Sequence, residues 1–343
     1  MTPKERVVKA LRFECPDRAP RDLWALPAIS WFRADELNQL RARFPMDFAG
    51  PKFSYGESRR SRGTRAALGE YVDPWGSQWQ VLEAGRIGEV KRPALADWSA
   101  LESYELPWEL LREADFSEVN RSCHETDRFV CTPSLANPYE RLQFLRGTEN
   151  LLIDLAYGTP EVYRLREMVH EFFLAEMQMW AKTDVDGMLF LDDLGSQQSL
   201  LISPDLFRSF FKPLYQDYCD IIRGAGKFVF FHSDGNIEAV YPDLIEIGVH
   251  AINSQLFCMD IEGLAAKYRG KLTFWGEIDR QHLLPLGSTD EVRAAVRRLR
   301  AALDDGRGGL IAQCEWGIHD PMDNIAAVYD EWSKPLAARC SAS

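Results

Sequence analysis

The hydrophobic residues of this chain fall into short uninterrupted runs that alternate with longer amphipathic segments. The run at residues 228–231 (FVFF) is typical of a strand buried on both faces, and it stops abruptly at His232 and Asp234. Such runs predict strands at 128–133, 187–193, 227–234, 248–255, 271–279 and 308–317. The segments between them have helical spacing and begin at Ser or Thr, as helix N-termini commonly do. Strict alternation of strand and helix predicts a parallel sheet, and eight such units would close into a barrel.

The first third of the chain departs from this alternation. Thr2, Pro3 and Glu5 form the pattern of a capped helix start, so we expect an N-terminal helix. Residues 45–107 are rich in Gly, Pro and Trp, which indicates a loop-and-hairpin insertion and not a separate domain. The sequence therefore predicts an α/β fold, a (β/α)8 TIM barrel, in which residues 1–343 form a single domain with an N-terminal helix and a loop-rich insertion.

Polar residues follow the predicted strands at their carboxyl ends. They are Asp192 and Asp193, His232 and Asp234, Asn253 and Gln255, Glu277 and Asp279, and Cys314 and Glu315. In a barrel these ends converge on one mouth, where active sites are built, whereas in a doubly wound sheet they spread along an edge. No glycine-rich dinucleotide or phosphate-loop motif follows a strand, which favours the barrel.

The strand ends offer ligands for a metal ion. His232 and Cys314 would supply nitrogen and sulfur, and Asp234, Glu277 and Glu315 would supply oxygen. Three such ligands with an open fourth position form the arrangement of catalytic zinc, which polarises a substrate oxygen or lowers the pKa of a bound thiol. The alternative is a polar mouth without metal, in which His232 and Asp234 form a hydrogen-bonded pair and Cys314 simply packs.

A second acidic cluster, Asp192, Asp193 and Gln197, follows the strand at 187–193. Two adjacent acids on a strand point in different directions, so we expect one to enter the mouth as a general acid or as an acceptor for a substrate hydroxyl. The alternative is an acid bound by neighbouring backbone N–H groups. Tryptophans beside rim residues could wall an aromatic-sized pocket or belong to the core. The predicted substrate-binding residues are Gln197, Asn253, Trp275 and Trp316, and the predicted catalytic acids are Asp192, Asp193 and Asp234.

Composition narrows the classes of partner. Hydrophobic residues at 46% and charged residues at 27% are globular values, and the net charge of −12 disfavours nucleic acid and anionic lipid. The sequence has no long apolar run, and its start lacks the features of a signal peptide, so we expect no membrane segment. The seven cysteines are never paired as C-x-x-C, which indicates a reducing compartment and predicts a cytoplasmic protein.

Four stretches of the chain resemble the uroporphyrinogen decarboxylase superfamily, and the resemblance runs nearly the whole length. They are residues 1–20, 138–147 (PYERLQFLRG), 232–253 (HSDGNIEAVYPDLIEIGVHAIN) and 272–285 (LTFWGEIDRQHLLP). The resemblance implies a (β/α)8 barrel. Residues 21–32 lack the arginine-rich R-Q-A-G-R-Y segment of the true decarboxylases, and the chain is acidic, so an eight-carboxylate tetrapyrrole is not the implied substrate.

The other branch of the superfamily consists of methyltransferases that bind zinc through an H-x-C pair and a later Cys. His232 matches the His of that motif, Asp234 stands in place of the first Cys, and Cys314 lies close to the later one. Glu277 occupies a strand end from which it could supply the replacement ligand. The resemblance therefore implies a zinc site of His232, Glu277 and Cys314, with harder ligands that suit an ether oxygen, and leaves open whether Asp234 or Glu315 joins it.

The stretches PYERLQFLRG, DDLGSQ and AQCEWG are most similar to the methyltransferase components of O-demethylase systems. This implies removal of a methyl group from a methoxylated aromatic and its transfer to a corrinoid protein or to another carrier, such as tetrahydrofolate or a thiol. The chain has no D-x-H-x-x-G corrinoid signature, so a corrinoid would come on a separate protein that docks at the mouth. Homodimers are common among such relatives. The alternatives are a metal-free decarboxylase of a small carboxylate and a non-catalytic barrel.

Overall fold

The architecture is that of a nearly closed barrel. The computed structural model describes residues 1–335, so Cys340 lies outside the described residues. The strands are β1 Arg21–Ala25, β2 Phe48–Ala49, β3 Gly69–Val72, β4 Gln78–Val81, β5 Glu89–Arg92, β6 Phe129–Ser134, β7 Gly187–Leu191, β8 Phe228–Ser233, β9 Ala251–Ser254, β10 Thr273–Trp275 and β11 Leu310–Trp316. Eight of them form one parallel sheet in the order β1-β11-β10-β9-β8-β7-β6-β2.

The two edge strands of this sheet approach each other. The backbone N–H of Asp47, which directly precedes β2, donates to the carbonyl oxygen of Arg21 in β1 at 2.9 Å. The eight strands thus follow one another around the barrel in chain order, as a (β/α)8 fold requires. The predicted α/β class and TIM barrel are confirmed.

Helices follow the barrel strands and cover the outside of the sheet. They are α1 Pro3–Leu11, α2 Pro27–Phe32, α3 Ala34–Arg43, α4 Glu109–Arg112, α5 Val119–His124, α6 Pro138–Arg146, α7 Thr148–Tyr157, α8 Pro160–Ala181, α9 Pro204–Leu206, α10 Lys212–Gly224, α11 Tyr241–Glu246, α12 Ile261–Tyr268, α13 Leu283–Leu286, α14 Thr289–Leu303 and α15 Met322–Trp332. Among the described residues, no helix combines the length and the apolar character needed to span a lipid bilayer.

The first third contains the predicted N-terminal helix and insertion. Thr2 caps α1 through a capping box with Glu5. Val7 and Leu11 of this helix pack against the interior of the barrel and cover its base. Strands β3, β4 and β5 form a separate antiparallel sheet between β2 and β6 in the chain. Both sequence predictions are confirmed.

Two apolar layers result from the alternation of side chains along each strand. Leu189, Phe230, Trp275 and Ile311 point into the barrel, where they pack with one another. Their chain neighbours, such as Phe231, point outward into the larger core between the sheet and the helices. Residues an even number of positions apart on a strand point to the same face, and we say that they share a parity. A residue can therefore reach the mouth only if it shares the parity of the inward-pointing residues of its strand.

Candidate active site at the barrel mouth

His232 lies at the mouth end of β8 with the inward parity of Phe230, and only 7% of it is exposed. Its Nδ1 lies 2.6 Å from Oδ1 of Asn253. The amide of Asn253 donates from Nδ2 to the backbone oxygen of Trp275 and to Oε1 of Gln313, so its oxygen faces the imidazole. Nδ1 of His232 is therefore the donor in this pair, which directs Nε2 toward the mouth.

Two carboxylates lie next to Nε2 of His232. It is 3.5 Å from Oδ1 of Asp193 and 3.4 Å from Oδ1 of Asp234. Burial lowers the pKa of His232, but the two carboxylates outweigh burial and hold that pKa well above its usual value. Without a metal, this geometry favours an imidazolium shared between two acids.

The same three residues form a candidate metal site. One ligand atom from each of Asp193, His232 and Asp234 lies within 4.8 Å of the others. Oδ1 of Asp234 is buried and forms no hydrogen bond of regular geometry among residues 1–335, since its contact with Nε2 of His232 is long, at 3.4 Å. A divalent cation would satisfy this oxygen, and the bond from His232 to Asn253 is the kind of outer contact that orients metal-bound histidines. One nitrogen and two oxygens form a hard donor set.

Arg280 lies at the centre of a second group of acids at the mouth. Its guanidinium forms a salt bridge with Oδ2 of Asp234, donates to Oε1 of Glu315 at 2.7 Å and lies 3.9 Å from Oε1 of Glu277. Burial lowers the pKa of Arg280, but these acids outweigh it and raise the pKa above its ordinary value. Because Asp234 uses Oδ2 for Arg280, it keeps Oδ1 for the candidate metal site.

Glu277 is buried at the carboxyl end of β10, with 2% of the residue exposed. Its Oε1 has no hydrogen-bond partner in the described part of the chain. Burial is the main reason that its pKa is raised to about 8, so the carboxyl group is mostly protonated at neutral pH. It lines a cavity of about 80 Å³ together with Gln255, Phe257, Ile278 and Arg280. A neutral acid thus lies in the wall of a small cavity at the mouth.

A further carboxyl group reaches the mouth from α6. Burial and the charge of Asp193 raise the pKa of Glu140 to about 7. Together with the acids already described, it gives the mouth five carboxyl groups against the cations Arg280 and His232. Such an excess of acids attracts cations and disfavours anionic substrates.

Aromatic rings form the floor below His232. The ring of Trp24 meets His232 edge-on at 5.1 Å and Trp275 at 5.0 Å between centroids. Both indole N–H groups donate to Oδ2 of Asp22, at 3.1 and 3.0 Å. Burial raises the pKa of Asp22 to about 6. Trp275, predicted as a substrate-binding residue, is only 2% exposed and supports the site from below.

Asp192 points away from the mouth, as the parity of β7 requires. Its carboxylate accepts the backbone N–H groups of Tyr139 and Glu140 at 2.8 Å each and the hydroxyl of Tyr215. It therefore caps the N-terminus of α6 from the outer layer. Asp193 is the acid of this pair that enters the mouth, where its Oδ1 also accepts the backbone N–H of Asp234 at 2.9 Å.

Cys314 and Trp316 also point outward, because they share the parity of Leu310 and not that of Ile311. The thiol of Cys314 lies 3.6 Å from the hydroxyl of Tyr329 on α15, and Trp316 is fully buried. The structure therefore does not bring the predicted ligands His232, Glu277 and Cys314 together. Glu277 reaches the mouth, but within residues 1–335 the ligand atoms that cluster with His232 are carboxylate oxygens.

Gln197 lies on the exposed loop after β7 and bridges two neighbouring loops above the small cavity. Its Nε2 donates to Oε1 of Gln281 at 2.6 Å, and its Oε1 accepts from the thiol of Cys258 at 2.9 Å. Asn253, by contrast, is completely buried, and its side-chain oxygen orients the imidazole of His232. Of the four predicted substrate-binding residues, Gln197 is the one that lines the cavity.

Sequence reasoning missed Arg280, Glu140 and Asp22. Arg280 stands on a loop and Glu140 in the first turn of a helix, where no strand pattern marks them. A signal did exist for Glu315, because it has the parity of Ile311 and Gln313 in a strand whose alternate residues are apolar. Counting parity from the strand interior would have favoured Glu315 over Cys314.

The chain matches a known protein family over more than half of its length. The sequence profile of the family described as uroporphyrinogen decarboxylase (URO-D) matches residues 138–334, which include all strands from β7 to β11 and the acids of the mouth. The sequence-based resemblance to this superfamily is thereby confirmed. No curated protein matches the chain.

Solved structures with similar folds include a methyltransferase from Methanosarcina mazei, with 14% identity and a TM-score of 0.69 over 97% of this chain and 98% of the other. An endo-β-1,4-xylanase from Gloeophyllum trabeum has 9% identity and a TM-score of 0.46, covering 95% and 100% of the two chains. A 3-keto-D-glucoside 4-epimerase from E. coli has 14% identity and a TM-score of 0.39, covering 62% and 81%. At such identities the methyltransferase shares the fold, and fold alone does not fix function.

Proposed function

We propose, from the premise that this chain belongs to the uroporphyrinogen decarboxylase family, that it is a methyltransferase. It removes the methyl group of a small methylated substrate, with methoxylated aromatics as the proposed class, and passes it to a corrinoid protein or another methyl carrier. The fold similarity to the Methanosarcina mazei methyltransferase is consistent with this assignment. The residues of the mouth provide the chemical support.

The observation that carries the proposal is the cluster of Asp193, His232 and Asp234, in which the buried Oδ1 of Asp234 forms no hydrogen bond of regular geometry. These residues would hold a zinc ion, with Asn253 fixing the imidazole so that Nε2 is the ligand. When bound, zinc would act as a Lewis acid on the ether oxygen. This set replaces the one expected from the sequence, because Cys314 faces the outer layer.

Glu277 supplies the proton that the reaction needs. An aryl methyl ether has a poor leaving group, because the bond between oxygen and methyl breaks with its electron pair on the oxygen. The methyl group passes to the nucleophilic acceptor, and the carboxyl group of Glu277 donates its proton to the departing oxygen. Burial keeps this carboxyl group protonated at neutral pH, since it raises its pKa to about 8. The phenol and the methylated acceptor are the products.

The charges of the residues at the mouth are less compatible with decarboxylation of a small carboxylate. A carboxylate substrate would need an unengaged cation, but Arg280 already pairs with Asp234 and Glu315. The remaining acids, Glu140 and Asp193, would repel it further. A neutral methyl ether meets no such barrier.

We also propose that the methyl acceptor comes on a separate protein that docks at the mouth. The cavity between the loops after β7, β9 and β10 has about 80 Å³, far smaller than a corrinoid. Gln197 bridges these loops from an exposed position, so its bonds can open without disturbing the core. An external carrier would reach the methyl group from the mouth side.

Formation of methylcobalamin from cob(I)alamin and a panel of methoxybenzenes and methoxyphenols tests this function. We expect the wild-type protein, loaded with zinc, to produce the methylcobalamin absorbance with at least one neutral methyl ether. Activity should be lost in His232→Ala and retained in Cys314→Ser, the matched control on the outer face of a strand. Release of carbon dioxide from small carboxylates without methyl transfer would overturn the proposal in favour of a decarboxylase.

A further inference from the structure

A second polar pocket lies at the base of the barrel, at the opposite end from the mouth. It has a volume of about 300 Å³ and lies where the end of α1, the turn after α10 and the start of β8 meet. Arg12, Arg223, Lys227, Phe228 and His250 line it, and none of the described lining residues is acidic. A concentration of cations without acids is unexpected in a chain whose net charge is −12.

The two arginines of this pocket are not neutralised by acids. Neither Arg12 nor Arg223 forms an ion pair with a carboxylate among residues 1–335, whereas Arg6 and Arg18, at the same end of the barrel, both pair with Asp47. Lys227 is held in place because its Nζ donates to the backbone oxygens of Thr183 and Val185. Asp184 and Asp186 act on the charge of Lys227, so the positive field of the pocket comes mainly from the two guanidinium groups, whose donors remain available.

His250 adds a neutral donor with a fixed direction. Its Nδ1 accepts the backbone N–H of Val229 at 3.0 Å, so the hydrogen of the neutral imidazole is on Nε2. Burial and the charge of Arg223 lower the pKa of His250 to about 4. The imidazole packs edge-on against Phe228 at 5.2 Å between centroids. It is therefore a rigid, uncharged N–H donor at neutral pH.

A glycine leaves room for the guanidinium of Arg223. A Cβ atom at Gly248 would lie 2.6 Å from Nη1 of Arg223, so a glycine is needed for this position of the arginine. On the other side, the guanidinium of Arg12 lies 5.7 Å from the ring centroid of Phe228. Phe228 thus contacts both Arg12 and His250, and all three residues line the same pocket.

We propose that this basal pocket, lined by Arg12, Arg223 and His250, binds a phosphate group, either free or as the monoester of a small molecule. Guanidinium forks and an imidazole N–H match the acceptor oxygens of a phosphate, and charge-assisted bonds of this kind are the strong ones. No acid in the described lining opposes the anion. The inference is independent of the reaction at the mouth, since the two pockets share no residue.

Titration with inorganic phosphate tests this proposal through the NMR signals of labelled histidines, with His250 assigned from its His250→Gln variant. We expect phosphate to raise the pKa of His250 from its low value, because a bound anion favours the imidazolium. The double variant Arg12→Gln/Arg223→Gln should bind phosphate about tenfold or more weakly. Arg164→Gln, which removes an exposed arginine of α8, should leave the affinity unchanged.

A second titration with glycerol 3-phosphate distinguishes a site for a phosphate monoester from a site for free phosphate. The ligand that binds more tightly identifies which of the two the pocket prefers. Tighter binding of either ligand than of chloride, lost in the double variant, supports the proposal. Equal binding by the wild-type protein and the double variant would overturn it, as would an unchanged pKa of His250 at saturating phosphate. Circular dichroism of the variants verifies that the barrel is folded in each case.

Discussion

Asp192 and Asp193 are neighbours in the chain but belong to two different regions of the molecule. Asp192 lies in the apolar layer between sheet and helices, where three donors hold its carboxylate. Asp193 lies at the mouth beside His232 and remains partly exposed. An aspartate is therefore a helix cap in the outer layer and a candidate metal ligand at the mouth.

Cys314 and Glu315 repeat this difference on β11. Cys314 packs against Tyr329 in the outer layer, whereas Glu315 binds Arg280 at the mouth. In both pairs the two-residue period of the strand decides the region, and the chemistry of the side chain follows from it. A residue type at a strand end is thus informative only together with its parity.

The outer region should show the largest effect on stability. Asp192→Ala removes the cap of α6 and leaves the hydroxyl of Tyr215 without its acceptor, so we expect the free energy of unfolding to fall by about 3 kcal/mol. Asp193→Ala, at the partly exposed mouth, should change it by less than about 1 kcal/mol. Urea denaturation of the metal-free proteins measures both. Equal losses in the two variants would contradict the assignment of regions.

Because of Glu277, the free energy of unfolding of the metal-free protein should decrease as pH rises. Its folded-state pKa of about 8 lies above its ordinary value of 4.5, so the folded protein keeps a proton that the unfolded chain has lost. This contribution is fully present below the ordinary pKa and is lost as pH rises through about 8. In the metal-free protein, Glu277→Gln should therefore gain about 4 kcal/mol relative to wild type between about pH 5 and pH 9, since one pKa unit corresponds to about 1.4 kcal/mol.

The measurement for Glu277 is the free energy of unfolding as a function of pH for wild type and Glu277→Gln. Glu57→Gln, a change at an exposed acid of the insertion, is the control and should leave the curve parallel to wild type. A difference between Glu277→Gln and wild type that stays constant with pH would show that Glu277 is ionised at neutral pH and is not the proton donor.

Asn253 and its chain neighbour Ser254 also belong to the mouth and to the outer layer, respectively. Their substitution should produce the smallest of the expected effects, a change in the affinity for zinc. Asn253→Ala removes the bond that orients His232, so the affinity for zinc should fall about tenfold, as for other outer contacts of metal ligands. Ser254→Ala removes a bond to Tyr241 in the outer layer and should leave the affinity unchanged. Competition with a chromophoric chelator measures both affinities.

The fold could be predicted from the sequence because its signals are local. Buried runs such as 228–231 and the capping box at Thr2 determine strands and helix starts within a few residues. Placing His232 at the mouth required only that β8 be a barrel strand. The outcome for Asp192 and Asp193 followed the expectation that one of them enters the mouth, although the sequence did not identify which.

The ligand set could not be predicted in the same way. It depends on side-chain direction, and β8 is apolar on both faces up to His232, so its composition does not show which face is inside. Arg280 binds acids from two other strands, and its loop carries no pattern that reveals such contacts. Only the packing of the barrel brings these residues together.

Zinc titration of the purified, metal-free protein by calorimetry tests the central claim most directly, with Asp193→Asn and Cys314→Ser as the matched pair. We expect one zinc ion per chain in the wild type and in Cys314→Ser, and a loss of affinity of about 100-fold or more in Asp193→Asn. Loss of zinc in Cys314→Ser with retention in Asp193→Asn would contradict the site of Asp193, His232 and Asp234. Absence of binding in the wild type would contradict the metal at the mouth altogether.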